Sequence, residues 1–476
     1  MSSIDPQMQA QVEIQLSSKS VSSSLRTKMH IERNRELRER ERLERKERAE
    51  TLENYLKKST LSEKEKSSLR TELADRENEY NRLKRAKLSV KDFETMKVIG
   101  RGGFGEVRLV LKKNTNSVYA MKIMPKKEMI ERGQTGHIKA ERDILAQTHF
   151  TNDWVVNLFY SFQDTKYLYL IMEYLGGGDM MNLLIRYNIF SHEMARFYIA
   201  ELLLALDSIH KLNYIHRDIK PDNILFDNSG HIKLTDFGLC TGFHMDHENS
   251  YFEIVDKASK LNLSTLKRTK IDKELAHDYK NRKRNLAYSV VGTPDYTAPE
   301  VFLQTGYHKE CDYWSVGCIL FEMLAGYPPF VSEDSVQTCL KIINCSTTLQ
   351  FPDDVEISPD AQDLIRKLVC PKEERFHSLE EIQQHPFFNG FDWENVFEMT
   401  PPFVPELKSI FDTSNFDEFE MEYEDAGEEV KGEKKDLAFV GYTYKGFMGV
   451  VNNPSKRKHA NGITLSQIFS SHQGQN

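Results

Sequence analysis

One short run of residues, His216 to Asn223 (HRDIKPDN), carries the side chains with the clearest chemical potential. Asp218 can accept the proton of a hydroxyl group, Lys220 can reach a terminal phosphate, and Asn223 can ligate a metal ion. Asp236, which opens the triplet DFG, supplies a second, anionic metal ligand. A purely structural role hardly explains such a loop followed by DFG, so the combination indicates phosphoryl transfer.

Three glycines, Gly100, Gly102 and Gly105, lie between two predicted strands. Glycine lets a backbone approach phosphate oxygens and offer them N–H groups. The same motif occurs in dinucleotide-binding folds, but there it opens a helix, whereas here a strand is predicted from Glu106. We therefore predict a nucleotide-phosphate loop. Its candidate residues are Ile99, Gly100, Arg101, Gly102, Gly103, Phe104, Gly105, Glu106 and Val107.

Lys122, in the predicted strand VYAMK, is placed to bring its ammonium group to the α- and β-phosphates of a nucleotide. A lone lysine on a strand is normally only solvated. Glu141, in the helical stretch HIKAERDIL, can pair with this lysine, fix its position and couple the helix to activity. Each of the two residues strengthens the functional interpretation of the other.

The elements that must position these residues fall into two parts. From Phe93, short β-branched or aromatic runs alternate with turns, as in an antiparallel sheet, and one helix near Gly136 to Thr148 interrupts them. After Gly178, helical periodicity dominates to about Phe388. The fold class is therefore α+β, with a small sheet lobe, a larger helical lobe and a cleft between them. Arg375 is spaced to pair with Glu300, and Asp312 belongs to the scaffold rather than the chemistry.

The flanks differ from this core. Residues 1–28, rich in Ser and Gln, are predicted to be a disordered lead-in, and two charged helices follow within residues 29–90. The first of these helices is either a solvated charged surface or a docking helix for an acidic partner, and its apolar positions are too sparse for a coiled coil. Residues 389–476 are loop-like and acidic in places, which predicts an extension that wraps a domain.

Composition limits the other functional classes. The 476 residues have a formal net charge of -8, and glutamates interleave with the basic residues of the helices, so we expect no nucleic acid partner. No long apolar run predicts a membrane span. The six cysteines are scattered, without a metal or redox spacing. We expect a cytoplasmic or nuclear protein.

From about Phe93 to Phe388 the ordered motifs resemble the eukaryotic protein kinase catalytic domain, a bilobal fold, and its details resemble the AGC group. This resemblance implies transfer of the ATP γ-phosphate, with Mg²⁺, to Ser or Thr in protein substrates; Lys220, and Thr293 before Pro294, are similar to the serine/threonine type. A kinase-like scaffold without activity is the rival, but it usually lacks one of Lys122, Asp218 and Asp236. All three are present.

The flanks resemble the NDR/LATS family, and within it the NDR members. The segments ERLERKERAE and YNRLKRAKL are similar to the part that binds Mob coactivators, and a basic insert at about 240–288 resembles an autoinhibitory sequence. The C-terminal FVGYTY (439–444) resembles a hydrophobic motif with Thr443 as the site of an upstream kinase, and Ser289 matches the activation-loop phosphosite. The alternatives are an exposed aromatic strand and ordinary loop hydroxyls. SNFDEF, around Phe416, is similar to the tail segment beside the nucleotide.

Substrate choice is partly implied by the same resemblance. Asp179, Asp222 and Glu322 match acidic positions that AGC kinases use to bind substrate arginines, so we expect basic residues upstream of the acceptor. Thr297 departs from the apolar residue common before Ala-Pro-Glu, which leaves the peptide preference open in detail. Family analogy further implies roles in cell shape, polarity and outgrowth.

Overall fold

A computed structural model describes residues 18–102, 105–149, 151–238, 294–303, 306, 308–332, 335–420 and 437–446. The chain divides into two compact units, residues 1–77 with 457–476 and residues 78–456. Each unit is described by itself below.

The first unit contains helix α1 (Ser18–Lys58) and most of helix α2 (Glu63–Arg85). Because α1 begins at Ser18, the prediction of a lead-in without structure through residue 28 is wrong for residues 18–28. Those residues include no Gly or Pro, so nothing stops the helix, and each added residue contributes one backbone hydrogen bond once a helix has formed.

The two helices are joined by side-chain contacts. Arg70 forms a bidentate pair with Glu53 (2.7 and 2.9 Å), and Arg48 Nη2 lies 2.9 Å from Glu77 Oε1. Buried leucines occur on each helix at the spacing of one helical turn. They are Leu52, Leu56, Leu69 and Leu73. In the turn between the helices Ser62 caps α2 reciprocally with Glu65, as in a capping box.

The second unit opens with an antiparallel sheet in the order β1-β2-β3-β5-β4-β8. Its strands are β1 (Phe93–Gly102), β2 (Gly105–Lys112), β3 (Ser117–Pro125), β4 (Leu158–Gln163), β5 (Tyr167–Met172) and β8 (Tyr444–Lys445). Helices α3 (Lys126–Glu131) and α4 (Thr135–Gln147) lie between β3 and β4 in the chain. On β3, Met121 and Ile123 pack in an apolar cluster on one face, so Lys122 points to the other face.

Helices dominate the rest of this unit. They are α5 (Met180–Tyr187), α6 (His192–His210), α7 (Pro299–Leu303), α8 (Glu310–Ala325), α9 (Ser335–Ile343), α10 (Cys345–Thr348), α11 (Pro359–Leu368) and α12 (Leu379–Gln383). Strands β6 (Ile224–Phe226) and β7 (Ile232–Leu234) form a hairpin. Ser191 caps α6, and α8 ends at Gly326 in the left-handed conformation (φ 86°).

The large apolar core lies mainly among these helices and continues into β4, β5 and α4, and α8 is buried from Cys311 to Ala325. The predicted pair between Arg375 and Glu300 is confirmed, with Nη2 3.2 Å from Oε2. The predicted α+β fold, an antiparallel sheet followed by helices, is confirmed as well. Among the described residues no helix is both long enough and apolar enough to cross a bilayer.

The C-terminal extension contacts the helices first and the sheet last. The backbone N–H of Phe403 donates to Tyr198 Oη on α6 (3.1 Å). The amide of Asn415 donates to the carbonyl of Gly176 (3.0 Å), after β5. Strand β8 then pairs with β4. The extension therefore joins elements that are far apart in the sequence.

Candidate active site

The loop His216–Asn223 lies between α6 and β6 and is anchored by Asp312 of α8. The backbone N–H groups of His216 and Arg217 donate to the Asp312 carboxylate at 3.0 and 2.7 Å, and His210 Nε2 lies 2.7 Å from it. Burial alone would raise the pKa of Asp312, but the hydrogen bond from His210 and the neighbouring groups keep that pKa below its usual value. An ionised, fully buried carboxylate thus fixes the start of the loop.

Two residues of the site hold a strained backbone conformation. Arg217 has φ 68° and Asp236 has φ 59°, in the left-handed region that side chains other than glycine rarely adopt. Such a residue costs on the order of 1–3 kcal/mol and persists only where its surroundings dictate it. Arg217 directly precedes Asp218, and Asp236 is itself a predicted metal ligand, so the strain lies where chemistry is predicted.

The predicted catalytic groups lie together in this loop. Lys220 Nζ is 3.0 Å from Asp218 Oδ2, and the Asn223 amide donates to the Asp218 carbonyl (2.8 Å) and carboxylate (3.1 Å). Burial would lower the pKa of Lys220, but Asp218, Asp222 and Asp236 raise it above its usual value. Lys220 is therefore a cation, and Asn223 turns its amide oxygen away from Asp218.

Lys122 bridges two carboxylates from different elements. Its Nζ lies 2.8 Å from Glu141 Oε1 on α4 and 3.0 Å from Asp236 Oδ1. Burial would lower the pKa of Lys122, but Asp236 and Glu141 raise it; burial likewise opposes ionisation of Asp236, but Lys122 and Lys220 lower its pKa to about 2. The position of α4 is thus linked to a carboxylate that stays ionised throughout the physiological pH range.

The glycine loop connects two paired strands, as the sequence predicts. Gly100 is opposite Val107, and Gly102 is opposite Gly105. Gly105 has φ +148°, and a Cβ atom there would lie 2.0 Å from the carbonyl oxygen of Ile123. No side chain fits at this position, so the loop depends on glycine for a steric reason.

Three residues of the predicted nucleotide-phosphate loop, Gly103, Phe104 and Glu106, differ from the others. The Glu106 carboxylate is buried and pairs with Arg108 Nε (2.6 Å), and Arg101 Nη2 lies 3.5 Å from its other oxygen. The side chain of Glu106 therefore belongs to an ion-pair cluster, and only its backbone remains for phosphate contact. Gly103 and Phe104 lie outside the described residues.

An apolar cluster lies beside the glycine loop. Ile99 and Ala120 are buried in it, and Val107, Tyr174 and Phe416 pack against them, with the rings of Tyr174 and Phe416 5.8 Å apart. Such a cluster can accept a flat heterocycle. Ala120 and Tyr174 were absent from the sequence-based set. Strand periodicity could have identified Ala120, because it lies two positions before the predicted lysine on the same face.

The three acidic residues predicted to bind substrate form a connected group. Asp179 caps α5 by accepting from the Asn182 N–H (2.7 Å), and burial together with repulsion from Asp222 raises the pKa of Asp179 to about 7. Burial raises the pKa of Asp222 too, with Glu322 adding repulsion. Glu322 is fully buried and accepts a hydrogen bond from Tyr296 Oη. Within the group the carboxyls repel one another, while the ammonium of Lys220 favours ionisation of Asp222.

The C-terminal motif docks against α4 and β4. Phe439 and Tyr442 are completely buried, so the alternative of an exposed aromatic strand is wrong. Arg142 Nη1 donates to the carbonyls of Gly441 (2.7 Å) and Tyr442 (2.9 Å), and Gln163 Nε2 donates to that of Phe439 (2.8 Å). Arg142 adjoins the glutamate that pairs with Lys122, so the motif is attached to the helix that completes the site.

Thr443 is exposed in this docked motif and open to modification. Ser289, Thr293 and the basic insert at about 240–288 lie outside the described residues.

The comparison with protein families decides the identity of the fold. The model described as "Protein kinase domain" matches residues 93–258 and 264–388, which together make more than half of the chain. The chain belongs to the protein kinase family. In this kinase the matched range contains the glycine loop, Lys122, the loop at Asp218 and the DFG triplet, so the family match and the geometry agree.

Curated relatives extend the similarity beyond the catalytic domain. The chain is 49% identical over 416 residues to serine/threonine-protein kinase tricornered of Drosophila melanogaster, covering 85% of this chain and 89% of the relative. It is 48% identical over 426 residues to serine/threonine-protein kinase CBK1 of Pneumocystis carinii (85% and 83%). It is 46% identical over 454 residues to the probable serine/threonine-protein kinase ndrB of Dictyostelium discoideum (91% and 84%). This kinase is thus a serine/threonine protein kinase of the CBK1, tricornered and NDR type, as the sequence motifs predicted.

Proposed function

We propose that this kinase transfers the γ-phosphate of ATP, in the presence of Mg²⁺, to Ser or Thr hydroxyls of proteins with basic residues upstream. One observation carries the proposal. Lys122 bridges Glu141 and Asp236 at 2.8 and 3.0 Å, while Lys220 pairs with Asp218 at 3.0 Å. Phosphoryl transfer depends on positioning and charge stabilisation, for which these groups have the required types.

The residues fit the nucleotide and the metal. Gly105 lets β2 lie close against β3, since a Cβ atom there would meet the carbonyl oxygen of Ile123, and the glycine loop can offer backbone N–H groups to phosphates. Lys122 would hold the α- and β-phosphates, and Asn223 and Asp236 would hold Mg²⁺, which neutralises charge that develops on the phosphates. Asp218 would orient the acceptor hydroxyl and accept its proton, with Lys220 beside it to stabilise the transferred group.

The preference for basic substrates rests on the acidic group formed by Asp179, Asp222 and Glu322. Burial and mutual repulsion disfavour charge on Asp179 and Asp222. A substrate arginine would relieve this repulsion through charge-assisted hydrogen bonds. Binding of a cation is therefore coupled to ionisation of these carboxyls.

Regulation would act through the helix that carries Glu141. We propose that an upstream kinase phosphorylates Thr443, that Ser289 is the activation-loop phosphosite, and that a Mob-family coactivator binds the N-terminal helices. Contacts between the docked motif and Arg142, next to Glu141, support the first step. Each phosphate adds nearly two negative charges and three acceptors, which can order a segment against basic groups.

We further propose that the basic insert is inhibitory. We also propose that the kinase acts in cell morphogenesis, polarity or outgrowth, in the cytoplasm and nucleus.

Phosphate transfer from ATP to a serine peptide with upstream arginines tests the proposed reaction. In the purified full chain, Asp218→Asn should lower kcat by a factor on the order of 10²–10⁴ while ATP still binds, because only proton acceptance and orientation are lost. Asp353→Asn, at an exposed aspartate of the helical lobe, is the control and should leave kcat unchanged. Equal rates for wild type and Asp218→Asn, or ATP binding without transfer by the wild type, would refute the proposal. Adding a Mob protein to the same assay tests the coactivator.

A further inference from the structure

Lys445, which follows the hydrophobic motif directly, reaches the end of helix α2. Its Nζ donates to the carbonyl of Lys84 at 3.3 Å and also to the carbonyl of Ala86. The backbone N–H of Ala86 in turn donates to the carbonyl of Arg82 (3.2 Å), a hydrogen bond of the helical type. The side chain of Lys445 therefore contacts the last turn of a helix more than 350 residues earlier in the chain.

Such a contact has a defined physical effect. The last carbonyl groups of a helix have no partners within the helix and carry a partial negative charge. An ammonium group at this end satisfies the carbonyls and interacts favourably with the helix dipole. The last turn of α2 has basic residues of its own, but the ammonium of Lys84 lies over the ring of Tyr80, 4.7 Å from its centroid. Lys445 thus supplies a cap from the other end of the chain.

Lys445 can reach α2 only while the motif is docked. In the sheet Tyr444 is opposite Ser161 and Lys445 is opposite Tyr160. The backbone N–H of Gly446 donates to the carbonyl of Phe159 at 2.8 Å, so β4 holds the chain on both sides of Lys445. In this position Lys445 is half-buried, and burial lowers its pKa.

We propose that Lys445 couples docking of the hydrophobic motif to the C-terminal turn of α2. Lys445 is a positioning residue in this coupling. When the motif is released, the ammonium group of Lys445 leaves the carbonyls of α2, and the last turn of α2 loses its cap. Coupling between two sites is reciprocal. A ligand that draws the last turn of α2 away from Lys445 therefore weakens docking of the motif, and with it the contacts of the motif to α4.

Hydrogen exchange of the backbone amides at residues 82–88, measured in the full chain, tests the coupling. Lys445→Met should raise their exchange rates roughly three- to tenfold, because a charged cap is lost from a partly exposed helix end. Lys445→Arg should restore slow exchange. Lys127→Met, at an exposed lysine of α3, is the matched control and should change nothing there.

A double-mutant cycle separates coupling from simple capping. Phe439→Ala removes a buried motif side chain and should also raise exchange at residues 82–88, but it should add little in the Lys445→Met background. If Phe439→Ala accelerates exchange equally in both backgrounds, or if Lys445→Met leaves exchange at wild-type rates, the proposal is wrong. Gln163→Ala, which removes one hydrogen bond to Phe439, is the milder substitute should Phe439→Ala unfold the chain. The readout is independent of phosphate transfer.

Discussion

Carboxylates of the same kind behave oppositely in this site because of their neighbours. Asp236 contacts Lys122, and lysine charge lowers its pKa to about 2 in spite of burial. Asp179 is buried beside Asp222 without a lysine partner among its described contacts, and its pKa is raised to about 7. The first residue is ionised at any physiological pH, whereas the second titrates within the physiological range.

This difference predicts a pH dependence of substrate binding. Asp179 attracts a basic substrate only when ionised, so KM for an arginine-containing peptide should fall as pH rises through about 7. Between pH 6 and pH 8 the ionised fraction of a group with this pKa changes about tenfold, which is the upper limit for the change in KM. Steady-state kinetics across this range, with the arginines replaced by alanine in a control peptide, measure the effect.

Asp179→Asn is the matched variant, since the amide keeps the shape and can still cap α5. Its KM for the basic peptide should be high at both pH values. A similar fall of KM in this variant would assign the titration to another group, such as Asp222, whose pKa burial also raises. The effect of pH on stability is opposite to its effect on substrate binding. The folded state binds the proton of Asp179 more tightly than the unfolded state does. The contribution of Asp179 to stability therefore falls as pH rises from about 4 to 7.

At the scale of elements, helix α4 joins the hydrophobic motif to the catalytic groups. It presents Glu141 to Lys122 and, at the next position, Arg142 to the motif. Neighbouring residues of a helix point in directions about 100° apart, so one helix can contact the cleft and the motif at the same time. A shift of this helix must therefore change both contacts.

Arg142→Met tests this link. The variant loses two charged hydrogen bonds to the motif backbone, each worth about 1.5–3 kcal/mol when buried, and the motif should dock less firmly. We expect kcat to fall by roughly tenfold, with little change in KM for the peptide, because the acidic group does not contact Arg142. Arg132→Met, at an exposed arginine after α3, should retain the wild-type kcat. A wild-type kcat in Arg142→Met would show that docking at this helix does not control turnover.

Local patterns predicted most elements, and the structure brings several of the predicted site residues together. The predicted strand VYAMK placed Lys122, and the strand after the glycines excluded a helix-opening loop. Contacts made across hundreds of residues had no local signal: nothing near Asp312 indicates that it receives the N–H groups of His216 and Arg217. The early start of α1 was missed because the Ser- and Gln-rich composition of residues 1–28 favoured disorder, although residues 18–28 contain no Gly or Pro.

At the scale of the molecule, the C-terminal extension completes an apolar cluster that begins in the sheet. Phe416 packs with Ile99 and Ala120, more than 290 residues earlier in the chain. Two contacts to β1 hold the segment after Phe416: Lys97 Nζ lies 3.2 Å from Glu418, and Arg101 donates to the carbonyl of residue 420. The extension thus forms one wall of the proposed nucleotide site, so removing it should weaken nucleotide binding more than substrate binding.

Phe416→Ala should weaken ATP binding and spare the peptide. Loss of a half-buried aromatic ring beside Tyr174 removes apolar contact worth about 1–2 kcal/mol, so the Kd of ATP should rise roughly five- to thirtyfold. Titration of the full chain with ATP gives the Kd directly, and KM for the peptide at saturating ATP should stay at the wild-type value. Phe411→Ala, at an exposed phenylalanine of the same extension, is the control and should bind ATP normally. If Phe416→Ala binds ATP as tightly as Phe411→Ala does, the extension does not contribute to the nucleotide site. If Phe416→Ala instead raises KM for the peptide, Phe416 contributes to substrate binding rather than to nucleotide binding.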